Sequence, residues 1–404
     1  MRKNKKIIVI NLGWEQEPLL DKISEDGYEI YGIHYTEDYY KVPKYKDVLI
    51  TSLRDLIKIL KYAEKIKPDA VISDQCDYSY FAQSIIAERL NLSGPRIKEA
   101  QIATNKYLQR VKAKEEGINV PEFRLCTSID NVYEFIREFG LPVITKPVDN
   151  RGSFGVNKIK NESDIDHAFY DAVVNSHSRV ILVERFIEGM HVTVDGYVFK
   201  KQGATSLGVA TKKKFDDKGG IIDSEIIYPG DLSSKLYKEC MLFAEEVAKV
   251  CGFDFGFTHG EFIVTEDEEI YLTEVANRGG GVYTSEVILP NFTGMDIVKI
   301  YLNDVLGEPL EVDLEKLSQK PTIMKFFSFA NLKNGIVKNI KGIDRLQQNP
   351  NVLKLKLMLR KGNHIKQIKS GPDRHGTIIV TSRKKEELYA KLDEAISSLK
   401  VEVE

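Results

Sequence analysis

Residues 261–278 constrain this chain more than any other stretch. Two short apolar runs, Phe262, Ile263, Val264 and Ile270, Tyr271, Leu272, flank an acidic turn at Glu268 and Glu269. Alternating β-branched and aromatic residues on both sides of a turn predict an antiparallel hairpin. Each run carries a carboxylate, Glu261 in the first and Glu274 in the second. Inward-facing residues of neighbouring strands lie close together, so two acids there repel unless a cation sits between them. Such oxygen ligands suit Mg²⁺, which completes its octahedron with water and phosphate oxygens. Taken alone, the hairpin reads equally as two solvated strand acids.

A chain of 404 residues is too long for one small core and implies two or three domains. Its 58 basic and 60 acidic residues nearly cancel, which leaves no global field for nucleic acid or a membrane surface. Cys76, Cys126, Cys240 and Cys251 fall at no metal-binding spacing and read as reduced, buried thiols of a cytoplasmic protein. The apolar run at residues 7–10 is too short for a signal-peptide core or a membrane span.

Residues 1–95 alternate strand and helix, with strands expected at 6–10, 28–35 and 69–73 and helices at 15–25, 53–66 and 78–90. That order predicts a parallel, doubly wound sheet. The turn after the first strand, Asn11-Leu12-Gly13-Trp14-Glu15, lacks the G-x-G-x-x-G fingerprint, which disfavours NAD. A ligand would bind at the carboxyl ends of the strands, near Gly13 or residues 74–77. After a break at Gly94-Pro95, residues 97–117 read as helical. Residues 122–187 read as a compact α+β segment, with strands at 123–126, 143–146, 156–160 and 180–184 and helices at 130–139 and 163–174. Longer strands, a helix over 233–250 and the acidic hairpin fill residues 188–300. More strands and an amphipathic helix over 384–399 complete the chain.

Lys146 ends one apolar strand and precedes Asn150-Arg151-Gly152-Ser153-Phe154-Gly155. The backbone of such a loop approaches an anion closely and offers it N–H groups, with the lysine as a point charge. The same loop reads otherwise as an ordinary turn, and Walker A spacing is absent. Residues 184–191, Glu-Arg-Phe-Ile-Glu-Gly-Met-His, join two strands and serve either as a base-binding connection or as a plain linker.

Taken in order, Asn105-Lys106-Tyr107-Leu108-Gln109-Arg110, residues 116–121, the Lys146 strand with its glycine loop, residues 184–191, and Glu261 with residues 274–278 resemble the ATP-grasp superfamily. The likeness runs along essentially the whole chain. It implies an α/β and α+β ATP-grasp fold. A Rossmann-like pre-ATP-grasp domain would occupy residues 1–100. The ATP-grasp core would span 101–310, with a mobile lid subdomain at about 122–187. Residues 311–404, with Asn334-Gly335-Ile336-Val337 and residues 376–380, resemble the C-terminal segment of biotin-carboxylase-like members.

The resemblance also implies roles. Lys106 and Lys146 would contact ATP phosphates, and Gly152, Ser153 and Gly155 would roof the triphosphate. Glu184, Arg185, Phe186 and Ile187 would hold adenine, with backbone groups of Arg185 and Ile187 pairing with its edge. His191 would contact the ribose or serve the fold. Glu261 and Glu274 would bind Mg²⁺, with Mn²⁺ as a substitute, and Arg278 would hold the anionic substrate or its acyl phosphate. Lys212, expected with Lys213 and Lys214 in a loop after a strand at 205–210, would neutralise the γ-phosphate or belong to a solvated face. Residues 279–285 would wrap an anion at a helix start. Many relatives read E-x-N-x-R, with the asparagine on metal. Here Ala276 holds that place and Asn277 follows, a form closer to the amino-acid-ligase branch.

The implied activity is ATP-dependent carboxylate–amine ligation through an acyl phosphate, by a cytoplasmic homodimer acting on small molecules. Neither nucleic acid nor membrane enters. Activation of bicarbonate or formate, and a non-catalytic nucleotide-binding regulatory role, stay open as alternatives. Selectivity is expected at residues 13–17, 74–78 and 283–286.

Overall fold

The computed structural model describes residues 5–215, 222–332 and 335–404; Asn334 of the expected C-terminal motif lies outside them. The chain begins with β1 (Lys6–Ile10), α1 (Glu17–Glu25), β2 (Glu29–His34), β3 (Tyr45–Ile50), α2 (Leu56–Ile66), β4 (Ala70–Ile72) and α3 (Asp77–Arg89). Its four strands form a parallel sheet in the order β3-β2-β1-β4. After Lys6, strand β1 is apolar at every position because both faces are covered. Ile7 and Val9 enter one core with Leu19 and Leu20 of α1, whereas Ile8 and Ile10 enter another with Ile59 of α2 and Ile86 of α3. The edge strand β3 escapes the sequence expectation because its Tyr45-Lys46-Asp47 start is polar and partly exposed.

Residues 97–117, expected as one helix, are two: α4 (Ile97–Ala103) and α5 (Lys106–Glu115). The break is Asn105, whose side chain accepts from the N–H groups of Tyr107 (3.0 Å) and Leu108 (3.1 Å) and caps α5. Lys106 thereby becomes the first residue of α5.

A subdomain of β5 (Phe123–Cys126), α6 (Ile129–Phe139), β6 (Val143–Pro147), β7 (Asn157–Ile159), α7 (Ile165–Asn175) and β8 (Ile181–Arg185) follows. Its antiparallel sheet, ordered β5-β8-β6-β7, packs its two helices over a core of its own around Phe135, Val143 and Ile165.

Next come β9 (Met190–Phe199), β10 (Gly203–Lys214), β11 (Asp223–Tyr228), α8 (Ser234–Val250), β12 (Gly256–Val264), β13 (Ile270–Ala276), α9 (Leu289–Thr293) and α10 (Ile297–Val305). The chain closes with β14 (Thr322–Phe326), β15 (Val337–Lys341), α11 (Ile343–Gln347), β16 (Val352–Leu357), β17 (Gly376–Thr381), α12 (Leu388–Ser397) and β18 (Lys400–Val403). Among the described residues, eight of these strands form one antiparallel sheet, ordered β13-β12-β9-β10-β11-β14-β17-β16. Lys212, Lys213 and Lys214 lie within β10, paired to β11, and not in a loop beyond it. A lysine run reads as solvated surface in sequence, yet here the ladder with β11 decides the conformation. No helix of the described residues is long and apolar enough to cross a membrane, and all four cysteines are free and buried.

Candidate active site

The hairpin of β12 and β13 places Glu261 directly opposite Glu274, with a bulge immediately after Glu261. Bulges re-aim side chains, and these two acids line one cleft of about 770 Å³ between the small subdomain, the central sheet and the N-terminal region. Each is met by a lysine from a distant element. Lys106 Nζ donates to Glu274 Oε1 (2.8 Å) and to the carbonyl of Asn150 (2.6 Å). Lys212 Nζ bonds Glu261 and lies 3.4 Å from Asp223 Oδ2. Burial opposes the charge on Glu261, but Lys212 and His259 outweigh it and hold the carboxyl well below the usual range. For Lys212 burial likewise opposes ionisation, and the carboxylates of Asp223 and Glu261 raise its pKa nonetheless.

Lys146, on β6, gives Nζ to Glu184 Oε2 (2.5 Å) and lies 3.5 Å from the carbonyl of Thr273, the residue before Glu274. The second oxygen of Glu184 accepts from Arg110 Nε, and Arg110 also donates to the carbonyl of Thr273. Burial lowers the pKa of Lys146 to about 8 against the pull of Glu184. Both oxygens of Glu184 are therefore spent on cations, which makes it a positioning residue for Lys146 and leaves neither oxygen for the expected adenine contact. The Arg185 N–H is also taken, by the Glu122 carbonyl (2.9 Å), because it continues the strand edge. Phe186 donates to Pro142 O (3.2 Å), while the Ile187 N–H has no partner among the described residues and Ile187 lines the cleft. Lys158 sits 3.2 Å from the centre of the Phe186 ring.

Gly152 and Ser153 line the cleft in left-handed conformation, at φ 65° and 59°. Gly155 does not line it. A Cβ there would stand 2.8 Å from Asn175 Cβ and 3.1 Å from Ala172 Cα, so this glycine lets the turn close onto α7. His191 does line the cleft, and burial first, then Lys214 and Lys212, lower its pKa to about 4, leaving it neutral at pH 7.

Arg278 lies in a bend just after β13. Asp77 fixes it: Nε donates to Oδ1 (2.5 Å) and Nη2 to Oδ2 (3.3 Å). Residues 279–285 do not open an ordinary helix onto an anion. The Gly279 N–H donates to Asp74 Oδ1 (2.6 Å), Val282 and Tyr283 are left-handed, and a π-helical turn spans Thr284–Ile288. Gly281, Val282 and Thr284 nevertheless line the cleft. Asn277 is buried and structural: its amide donates to the carbonyls of Phe255 and Phe257, and its Oδ1 accepts from Tyr80 Oη (2.6 Å).

Sequence reasoning missed Arg110, Asp223 and His259 as site residues, and it included Asp77 only within the 74–78 region, without its pairing to Arg278. His259 Nδ1 pairs with Asp195 Oδ1 at 2.8 Å, and although burial opposes it, Asp195 raises its pKa to about 9. Their signal in the chain was slight, since each acts through a partner on another element. A divalent cation would find two facing carboxylates here. Among the described residues no group of three or more His, Cys, Asp or Glu is arranged to hold a metal ion, so phosphate and water oxygens would complete its shell.

Residues 139–286 match the ATP-grasp domain, and the chain has an ATP-grasp fold. Residues 329–404 match L-amino acid ligase C-terminal domain 2. An uncharacterised protein of Sinorhizobium fredii is 24% identical over 335 residues, 82% of this chain and 67% of that one. The D-alanine–D-alanine ligase of Geotalea uraniireducens is 29% identical over 191 residues, 46% of this chain, and the match spans only 60% of that ligase's length. The crystal structure of an L-amino acid ligase from Bacillus licheniformis superposes over the full length of both chains with a TM-score of 0.85 at 18% identity, a likeness of fold.

Proposed function

We propose that the chain is an ATP-dependent carboxylate–amine ligase that forms a C–N bond with release of ADP and phosphate. The observation that carries this reading is the in-register pair Glu261 and Glu274, each clasped by a lysine, in a cleft that also holds Lys146 and Arg278. Glu261 and Glu274 would hold Mg²⁺, or Mn²⁺ in its place. Bound there, the ion would neutralise charge on phosphate oxygens. Lys106 and Lys146 would receive phosphate oxygens, and the turn at Gly152 and Ser153 would offer backbone N–H groups over them. The free Ile187 N–H suits the edge of adenine.

On this reading Arg278, gripped by Asp77 at two points, orients a substrate carboxylate. A carboxylate oxygen bonds the γ-phosphorus of ATP, the bond from that phosphorus to the β,γ-bridging oxygen breaks, and ADP leaves. An amine nitrogen then attacks the acyl carbon, phosphate leaves and the nitrogen loses a proton. Positioning and charge neutralisation carry such chemistry, and exclusion of water protects the acyl phosphate. The substrates are small carboxylates and amines, and the assembly is read as a homodimer.

The test is ADP release from the full chain with Mg²⁺ and ATP against panels of carboxylates and amines, each with and without bicarbonate or formate. Ligation predicts ADP only when both an acid and an amine are present. ADP release driven by bicarbonate or formate would shift the assignment to carboxylate activation of that kind. Nucleotide found anywhere but beneath the 152–155 turn would end both readings.

A further inference from the structure

Two arginines of the fold's charged interior have carboxylate partners: Arg278, which lines the cleft, has Asp77, and the fully buried Arg110 has Glu184. Arg374 has none. Among the described residues its side chain makes no ion pair or hydrogen bond, although its Nε is fully buried and the residue lines the same cleft. Enclosing a guanidinium without a counter-charge is unfavourable, and polar groups orphaned in this way sit where a ligand completes the set.

The surroundings say which ligand. The Phe326 ring supports the guanidinium at 3.7 Å. The loop that carries Arg374 is braced by Asp373, whose carboxylate accepts from the Lys369 N–H (3.1 Å), the Ser370 N–H (2.8 Å) and the Ser370 hydroxyl (2.8 Å). That loop also touches the glycine turn, because the Gly371 N–H donates to the Gly152 carbonyl (3.1 Å). The charges that act on Arg374 are Asp223 and Glu261, the two acids already bonded to Lys212. Arg374 therefore stands at the hairpin end of the cleft, beside the glycine turn, with its donors unspent.

We propose that Arg374, delivered by the C-terminal segment, binds oxygens of the terminal phosphate of the nucleotide. This rests on the ATP reading above. The planar fork of a guanidinium matches two phosphate oxygens at once, and a lysine at this point would not. Residues 185–187, read as the adenine side, end or follow β8 of the subdomain's sheet, whereas Arg374 precedes β17 of the central sheet, so the base is assigned to another wall of the cleft.

The experiment compares the full chain with Arg374→Gln and Arg374→Lys, using isothermal titration with ADP and with the non-hydrolysable β,γ-imido analogue of ATP, each with Mg²⁺. Arg374→Gln is expected to weaken the triphosphate analogue about tenfold or more while ADP shifts less than about twofold. Arg374→Lys should recover part of the loss. Phe326→Leu, which keeps the guanidinium and removes its support, should give the same triphosphate-selective loss at smaller size. Equal losses on both nucleotides, or none, would overturn the assignment, since a merely structural arginine does not discriminate between them. A rise in KM for a carboxylate with nucleotide affinity unchanged would overturn it in favour of a substrate carboxylate. If the unmodified chain binds neither nucleotide, the ATP reading itself fails and this proposal falls with it.

Discussion

On the subdomain side of the cleft, Glu184 has both oxygens committed to cations, and the side chains of Arg110, Lys146 and Glu184 are at most 5% exposed. On the hairpin, Glu261 and Glu274 are 36% and 26% exposed, and each is clasped by one lysine. The difference is one of what happens when a partner leaves. Removing a member of a dry triad strands a charge that water cannot reach, whereas a carboxylate open to solvent is rehydrated when its lysine turns to a phosphate. The first arrangement fixes a lysine in place; the second can exchange partners during turnover.

The largest expected effect separates the two arrangements by stability. Glu184→Gln leaves Arg110 and Lys146 uncompensated and should cost about 3–5 kcal/mol in urea-induced unfolding. If it unfolds at the same urea concentration as the unmodified chain, the contrast is broken. Glu274→Gln should do the reverse, reducing ADP release by about 10²–10³-fold with the melting temperature nearly unchanged. Full turnover in that variant would remove the metal assignment.

Protonation sharpens the comparison further. Lys146, held at about 8 by burial, carries its charge below that pH and loses it above. Affinity for ADP should therefore fall as pH rises from 7 to 9, by up to about tenfold per unit beyond the pKa. Glu261, held low, stays ionised throughout this range. Lys146→Arg should flatten that limb of the profile. The smallest effect is expected from Asn105→Ala, which removes the cap of α5 and should cost about 1 kcal/mol in the same urea titration. A slight loss of ADP affinity should accompany it, since Lys106 is the next residue.

Local pattern made much of the fold legible. The uninterrupted apolar run of β1 announced a strand covered on both faces, and the alternation around Glu261 and Glu274 announced both the hairpin and its facing acids. Legibility failed where tertiary pairing overrides local signal. The polar edge of β3 and the lysines ending β10 look like loop until their partner strands are known. Asparagine is a good helix cap, yet residues 97–117 read as one helix, since the break at Asn105 shows only when its side chain is seen to turn back onto Tyr107 and Leu108. In the cleft, charged residues read singly gave the cast but not the pairings. Nothing near Glu184 in sequence points to Arg110, and nothing near Arg278 points to Asp77, because those partners meet only after the elements pack.

Strand β14 continues the ladder of β11, with Met324 opposite Ile226 and Lys325 opposite Glu225, and β17 and β16 extend it. The tail is thus woven into the same fabric that carries the hairpin. A hybrid that borrowed its last ninety or so residues from a relative would receive a new back wall for its reaction chamber rather than a detachable appendage. Anyone grafting such pieces would have to match the stitching between β11 and β14 first, and would change what the chamber admits by doing so.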